Sequence, residues 1–138
     1  GNEPCHQIAY LYNKAGAPWK TQQRIHHILN TEYNDTPGGL SGNDDAGQMS
    51  AWYMFSAIGF YPVCPATPYY YIGTPSFDKV TFNLENGRKF EIVAEGVDDE
   101  NFYIQQVDLN GKSGYYLSHD DLLKGGKLSF RMGNTPKY

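Results

Sequence analysis

Near residue 67 the apolar residues of this chain change their spacing from helical to alternating, and that change restricts the fold more than any other feature of the sequence. Before it, apolar side chains recur three and four residues apart, as on one face of a helix. After it they alternate, as on a strand with one buried face. Two periods in separate blocks read as α+β, helices first and strands second. The seam falls at residues 64–68, giving a helical region over residues 1–66 and an antiparallel β region over residues 67–138. At 138 residues the chain can bury a core without staples.

Three helices are expected. In the first, Pro4 suits an opening turn, Ile8, Leu11 and Tyr12 recur at helical spacing, and Gly16 marks the stop. The second begins near Pro18 and runs to about Tyr33, with Ile25, Ile28 and Leu29 on one face. The third, Gln48 through Ile58, is apolar or small in nearly every direction, so it is expected to be buried on all sides before Gly59 ends it. Strands are expected over Tyr69-Tyr70-Tyr71-Ile72, from Lys79, from Lys89, near Phe102 to Leu109 and near Lys127 to Met132. Asn86-Gly87 and Asn110-Gly111 read as hairpin turns with positive φ at both central residues. A short helical turn starts at His119-Asp120-Asp121 under a Ser118 cap.

Charge and composition remove several function classes. A net charge of -4 with no basic cluster offers no footprint for nucleic acid. No apolar run approaches the roughly 20 residues that span a bilayer, and no secretory leader opens the sequence, so a soluble chain is expected. Cys5 and Cys64 fit no metal or redox spacing and read as two free, buried thiols. The 12 Tyr, 7 Phe and 2 Trp suit stacking on sugar rings, and they suit a β-rich core equally well.

Two polar segments stand immediately before helices. One is Gly1-Asn2-Glu3-Pro4. The other is Gly42-Asn43-Asp44-Asp45-Ala46-Gly47, at the mouth of the apolar third helix. Free N–H groups at a helix N-terminus favour an ionised carboxylate, which could act as a general base toward water. A single N-cap would explain one aspartate; a second carboxylate beside it adds repulsion that capping does not require. Cap and base both stand as readings of Asp44 and Asp45. In the first segment, Glu3 beside the amide oxygen of Asn2 could offer oxygens to Ca²⁺. No calcium loop of Asp-x-Asp-x-Asp-Gly form is present. His26 and His27 are adjacent and diverge on a helix, so they read as solvated, as does the turn Asp98-Asp99-Glu100.

Read in order, Gly-Asn-Glu-Pro, Pro-Trp-Lys-Thr-Gln, Gly-Asn-Asp-Asp-Ala-Gly-Gln-Met-Ser-Ala-Trp-Tyr and Ala-Ile-Gly-Phe-Tyr-Pro-Val resemble the end of the catalytic domain of glycoside hydrolase family 92. The likeness continues through Tyr71-Ile72-Gly73-Thr74-Pro75 and Phe77-Asp78-Lys79. It implies an inverting, Ca²⁺-dependent exo-α-mannosidase, commonly α-1,2-specific, acting on mannose-containing glycans outside the cytoplasm. It also implies an (α/α)6 barrel, of which residues 1–66 would supply about three helices, preceded by a β-sandwich. By resemblance, Asp44 or Asp45 is the base, with Asp45 the first choice. Asn43 and Glu3 contact the sugar, and Asn2 and Glu3 lie at the calcium. The family's general acid is a glutamate upstream of Gly-Asn-Glu-Pro, so residues 1–138 alone are expected to be inactive, and exposed helical faces to be covered by upstream domains or by self-association. Cys5 departs from the serine-like residue expected there. The competing class is a non-catalytic carbohydrate-binding or interaction module using the Tyr-rich sheet.

Overall fold

The computed structural model describes residues 2–111 and 114–138. The fold is α+β, helices first, followed by two small sheets. Of the first polar segment, Gly1 lies outside the described residues.

The expected first helix is broken into 3-10 turns Glu3–Cys5 and Ile8–Tyr10, leading into a four-residue α1, Leu11–Lys14. None of these short pieces has a side-chain cap, and Ile8 and Leu11 point outward at 53% and 46% exposure. Ala9 and Tyr10 hold the segment to the core, but with Ile8 and Leu11 outside it, a segment this short does not sustain a regular helix. α2 spans Pro18–Thr31, with proline in its first turn and Ile25 and Leu29 buried. α3 spans Gln48–Ile58. It is not buried on all sides: Met49, Trp52, Ser56 and Ala57 face inward, while Met54 is 55% exposed. α3 stops at Gly59, whose φ of +116 favours glycine and whose N–H donates to the carbonyls of Phe55 and Ser56.

The strands are β1 Phe60–Tyr61, β2 Tyr69–Ile72, β3 Lys79–Asn83, β4 Lys89–Glu95, β5 Tyr103–Leu109, β6 Tyr116–Ser118 and β7 Gly126–Gly133. One sheet has the order β1-β2-β6, and the other β3-β4-β7-β5. The expectation of a wholly antiparallel sheet is corrected here, because β4 and β7 pair in parallel, with Ile92 beside Leu128 and Ala94 beside Phe130. Between β6 and β7 runs α4, His119–Leu123, and Ser118 Oγ accepts from the Asp121 N–H as its cap.

The two turn signals part company. Asn86-Gly87 does join β3 to β4, but Gly87 alone of the pair has positive φ (+78), and Asn86 Oδ1 accepts from the Arg88 N–H. This is a three-residue loop closing on a left-handed glycine. Asn110-Gly111 has the expected φ values, +49 and +86, yet it is not a hairpin between neighbours, since β5 pairs with β7 and β6 with β2. Asn110 instead docks on the start of β7, donating its N–H to Lys127 O and accepting from Lys127 N–H.

One core lies against the sheets, built from Phe60, Phe90, Ile92, Ile104, Leu128 and their neighbours. A second lies among the helices around Tyr10, Ile25, Trp52 and Tyr61. Each large apolar side chain removed from water here contributes about 1.5–3 kcal/mol. Phe55 packs against both cores. Polar bonds also tie the helices to the strands. The buried Gln22 Oε1 accepts from Ile104 N–H at 3.0 Å, and Asn13 Nδ2 donates to Ile72 O at 2.7 Å.

Two expectations about side chains need correction. His26 is half-buried and stacks flat on Phe102, with ring centroids 4.0 Å apart, because α2 lies against β5 and Phe102 immediately precedes that strand. Cys5 and Cys64 are free as expected, but both are exposed, Cys5 at the end of the 3-10 turn Glu3–Cys5 and Cys64 in the connection between β1 and β2. The turn at Asp98 is solvated, its carboxylate accepting from Glu100 N–H and Asn101 N–H. Among the described residues, no helix is long and apolar enough to cross a membrane.

Candidate active site

The loop before α3 is unusual in its backbone. Asp45, Ala46 and Gly47 are consecutive left-handed residues, with φ of +50, +59 and +94. Glycine adopts that region freely, whereas a side-chain-bearing residue pays about 1–2 kcal/mol to do so. Strain of this kind persists only where the surroundings impose it, and it concentrates at functional sites. The imposing contacts come from Asp44. Its Oδ1 accepts from both the Ser50 N–H and the Ser50 hydroxyl at 2.9 Å, and its carbonyl accepts from Met49 N–H. Asp44 therefore clamps the loop onto the first turn of α3, placing its carboxylate at the positive end of the helix dipole. Asp45 rides at the bend, exposed, and its carboxylate makes no hydrogen bond among the described residues.

Facing this loop is the first polar segment. Pro4 opens the 3-10 turn, with Cys5 N–H donating to Asn2 O and His6 N–H to Glu3 O, which turns His6 inward. His6 is buried beneath the loop. Its Nε2 lies 3.0 Å from Met49 Sδ, its carbonyl accepts from Trp52 Nε1–H, and its ring lies 5.7 Å from that of Trp52. Burial lowers the His6 pKa, and the charges of Glu3 and Asp45 oppose that shift. Charges from both polar segments thus act on the same imidazole.

Tyr33, at the end of the α2 connection, completes the wall. It stacks on Trp52 with rings 6.0 Å apart and 10° from parallel, and donates its hydroxyl to Met49 O. Burial, together with the charge of Asp44, pushes its phenol up to about 12. Tyr61 is raised as well, by burial and by Glu3. Asn2, His6, Tyr33, Met49 and Trp52 line a groove of about 390 Å³.

The residues singled out from sequence fall as follows. Asn2 lines the groove, whereas Glu3, Asn43, Asp44 and Asp45 do not, and Glu3 is exposed. Asp44 is half-buried and clamped, while Asn43 and Asp45 are exposed on the loop above. Sequence reasoning misses His6, Tyr33, Met49 and Trp52 as members of the site. The signal available for His6 is its place two residues after Pro4; Tyr33 lies outside any motif. Among the described residues no three of His, Cys, Asp and Glu gather at one point. A Ca²⁺ ion takes six to eight hard oxygens. The Asn2 amide and the Glu3 carboxylate are oxygen donors of the right kind, and they fit a portion of such a shell.

Comparison with known proteins gives a consistent picture. The family model described as "Glycosyl hydrolase family 92 catalytic domain" matches residues 1–134. A solved family GH92 α-mannosidase of Bacteroides thetaiotaomicron, in complex with mannoimidazole, superposes with a TM-score of 0.94 at 48% identity, over 100% of this chain and 18% of that one. The family GH92 inverting mannosidase from Bacteroides thetaiotaomicron VPI-5482 gives 0.91 at 44% identity, over 98% and 19%. An "Uncharacterized secreted glycosidase" of Arthroderma benhamiae is 34% identical over 96% of this chain and 18% of its own length. The chain thus spans about a fifth of the length of these relatives.

Proposed function

The chain belongs to glycosyl hydrolase family 92, and on that premise we propose that it forms one wall of the active site of an inverting, calcium-dependent exo-α-mannosidase. The substrate class is a terminal, α-1,2-linked mannose on a glycan, met outside the cytoplasm. The observation that carries this reading is the unequal state of two neighbouring carboxylates. Asp44 is fixed by two hydrogen bonds from Ser50, and Asp45 is held out by a left-handed backbone with its oxygens unengaged.

In this reading Asp45 is the general base. Water held against its carboxylate attacks the anomeric carbon from the face opposite the leaving group, Asp45 takes the water proton, and the C–O bond to the aglycone breaks. A carboxylic acid from elsewhere in the parent chain protonates the departing oxygen. Inverting pairs of this kind sit about 6.5–9.5 Å apart, leaving room for the water. Asp44 holds the loop, and with it the angle at which Asp45 meets that water. Glu3 and Asn43 receive sugar hydroxyls, and Asn2 with Glu3 supplies a portion of the calcium shell. Bound there, the ion would polarise sugar hydroxyls and favour a distorted ring. The outward faces carrying Ile8, Leu11 and Met54 are assigned to contact with the rest of the catalytic domain and its β-sandwich. Residues 1–138 alone are then inactive.

The test is mannose release from α-1,2-mannobiose by the full-length parent protein, followed by NMR of the first anomer formed. Initial β-mannose, lost with Asp45→Asn and on chelation, is the expected result. Initial α-mannose, or an Asp45→Asn protein as active as the parent, would refute it.

A further inference from the structure

A larger cleft lies between the helices and the strands, and it shares no lining residue with the groove beside α3. It has about 710 Å³, within the roughly 300–1,000 Å³ of small-ligand sites. β5, the start of β6 and the C-terminal segment line it, together with Pro18 at the corner between α1 and α2.

The β5 wall is irregular. Ile104 pairs with Met132 and Gln106 with Arg131, which leaves Gln105 as an extra residue in the strand. Successive residues of a regular strand point to opposite faces. The bulge lets both Gln105 and Gln106 line the cleft, and bulges gather beside functional sites because they re-aim side chains in this way. Gln105 Nε2 donates to Thr135 O at 2.8 Å and Lys137 Nζ donates to Gln105 O at 2.8 Å, so the C-terminal segment is tied to the bulge. Gln106 is exposed, and its side-chain amide makes no hydrogen bond among the described residues.

The β6 wall carries Tyr115 and Tyr116. Tyr116 is 45% exposed, and Tyr71 braces its ring edge-on, with centroids 4.8 Å apart and planes at 73°. Tyr69, 51% exposed, is two residues from Tyr71 and so on the same face of β2, which carries the aromatic surface beyond the cleft. Neither the Tyr115 nor the Tyr116 hydroxyl makes a hydrogen bond among the described residues. A braced, exposed ring beside a free amide and free hydroxyls matches both sides of a sugar: a C–H face that stacks on the ring, and hydroxyls that give and take hydrogen bonds. Among the described lining residues none is acidic and Lys137 is the single cation, its ammonium already bonded to Gln105 O, which suits a neutral ligand better than a phosphorylated one.

We propose that this cleft is a second, non-catalytic saccharide site, which holds a neutral mannose chain of the glycan whose terminal residue is being removed. The inference rests on the reading of the chain as part of an α-mannosidase active site. Two contacts with one glycan make the second binding event intramolecular, so affinity for long chains rises while the chemistry on short ones is unchanged.

The test uses the full-length parent protein with Tyr116→Ala, Tyr116→Phe or Gln106→Ala. Binding is read from retardation in native gels cast with α-mannan, and activity from kcat/KM on α-mannan and on para-nitrophenyl α-mannoside, which is too small to reach both sites. Tyr116→Ala should raise the apparent Kd for mannan about threefold to tenfold and lower kcat/KM on mannan by a similar factor. Gln106→Ala should do the same to a smaller extent, and Tyr116→Phe, which keeps the ring, should bind like the parent. All three should cleave the small mannoside at the parental rate. Unchanged retardation in both alanine variants would overturn the proposal, and if it comes with a lower Tm the cleft is a seat for the rest of the parent chain. A loss on the small mannoside equal to that on mannan would overturn it too. Should Tyr116→Ala fail to fold, Gln106→Ala decides alone. Asp45→Asn should leave the retardation in place; activity retained in that variant sinks the active-site reading and leaves the gel measurement untouched, so the two readings fail separately.

Discussion

If Asp44 works by holding the loop rather than by chemistry, its replacements should grade with the hydrogen bonds they keep. The clamp is two bonds at 2.9 Å, from the Ser50 N–H and hydroxyl to one carboxylate oxygen. Asp44 is half-buried and Ser50 exposed, so each bond is discounted from the range for charged acceptors to the ordinary net value, about 1 kcal/mol, or about 2 kcal/mol together. Opposing it is the left-handed backbone at Asp45 and Ala46, about 1–2 kcal/mol per residue. The two terms are of similar size, so losing the clamp lets the loop relax. Asp44→Asn keeps an oxygen acceptor and loses the charge, which about halves the bonds. The residual loss of about 1 kcal/mol corresponds to roughly fivefold in rate. Asp44→Ala loses both bonds and should cost about a hundredfold through misplacement of Asp45. Adding Ala46→Gly, which makes the left-handed position unstrained, should return some of it. The assay is kcat/KM on an α-mannoside with the parent protein, beside thermal unfolding to confirm folding. Asp45→Asn should instead lose about 10²–10⁴-fold, the usual share of a general base. If Asp44→Asn is as inactive as Asp45→Asn, Asp44 belongs to the chemistry and the clamp argument is wrong. If Asp44→Ala is harmless, there is no clamp.

Other expectations concern the scaffold. Gln22→Leu leaves the buried Ile104 N–H without an acceptor and should destabilise by about 1–3 kcal/mol; an unchanged Tm would remove Gln22 as a tie between α2 and β5. Gly39→Ala would drive a methyl into the Asn34 carbonyl, so limited proteolysis within residues 34–39 should accelerate, and unchanged cleavage would contradict the tight turn. Burial lowers the pKa of His26. The unfolded chain then binds more protons below about pH 6.5, so stability should fall as pH drops through 6.5 toward the folded value, and level off below it. His26→Phe, which keeps the stack on Phe102, should flatten some of that slope in pH-dependent denaturation. At the alkaline end Tyr33, pushed up to about 12, gives the opposite sign: stability falls as pH rises from about 10, and Tyr33→Phe should blunt the fall.

What the sequence made legible follows from how local its causes are. α3 could be delimited because Gly59 and the apolar run are local signals, and the Ser118 cap for the same reason. The break in the first helix was not legible, since it depends on what Ile8 and Leu11 have to pack against. Nor was the parallel pairing of β4 with β7, because strand direction is set by the path between strands and not by alternation within them. At the site, the doublet Asp44-Asp45 stands out as a pair of carboxylates, but a side chain binding the residue six positions on is no ordinary N-cap. Only the run of left-handed residues between them makes that reach possible. His6 stays hidden because its meaning lies in Met49, a partner 43 residues away.

The place of β7 between β4 and β5 bears on how the molecule is made. Both flanking strands are synthesised earlier, yet neither bonds to the other, and each must wait with an open edge until residues 126–133 arrive to fill the gap. Contacts of such long sequence separation form slowly, and unpaired edges invite foreign strands in the interval. Released chains truncated short of Gly126 should therefore be held by chaperones or aggregate, while those that include Gly133 should close.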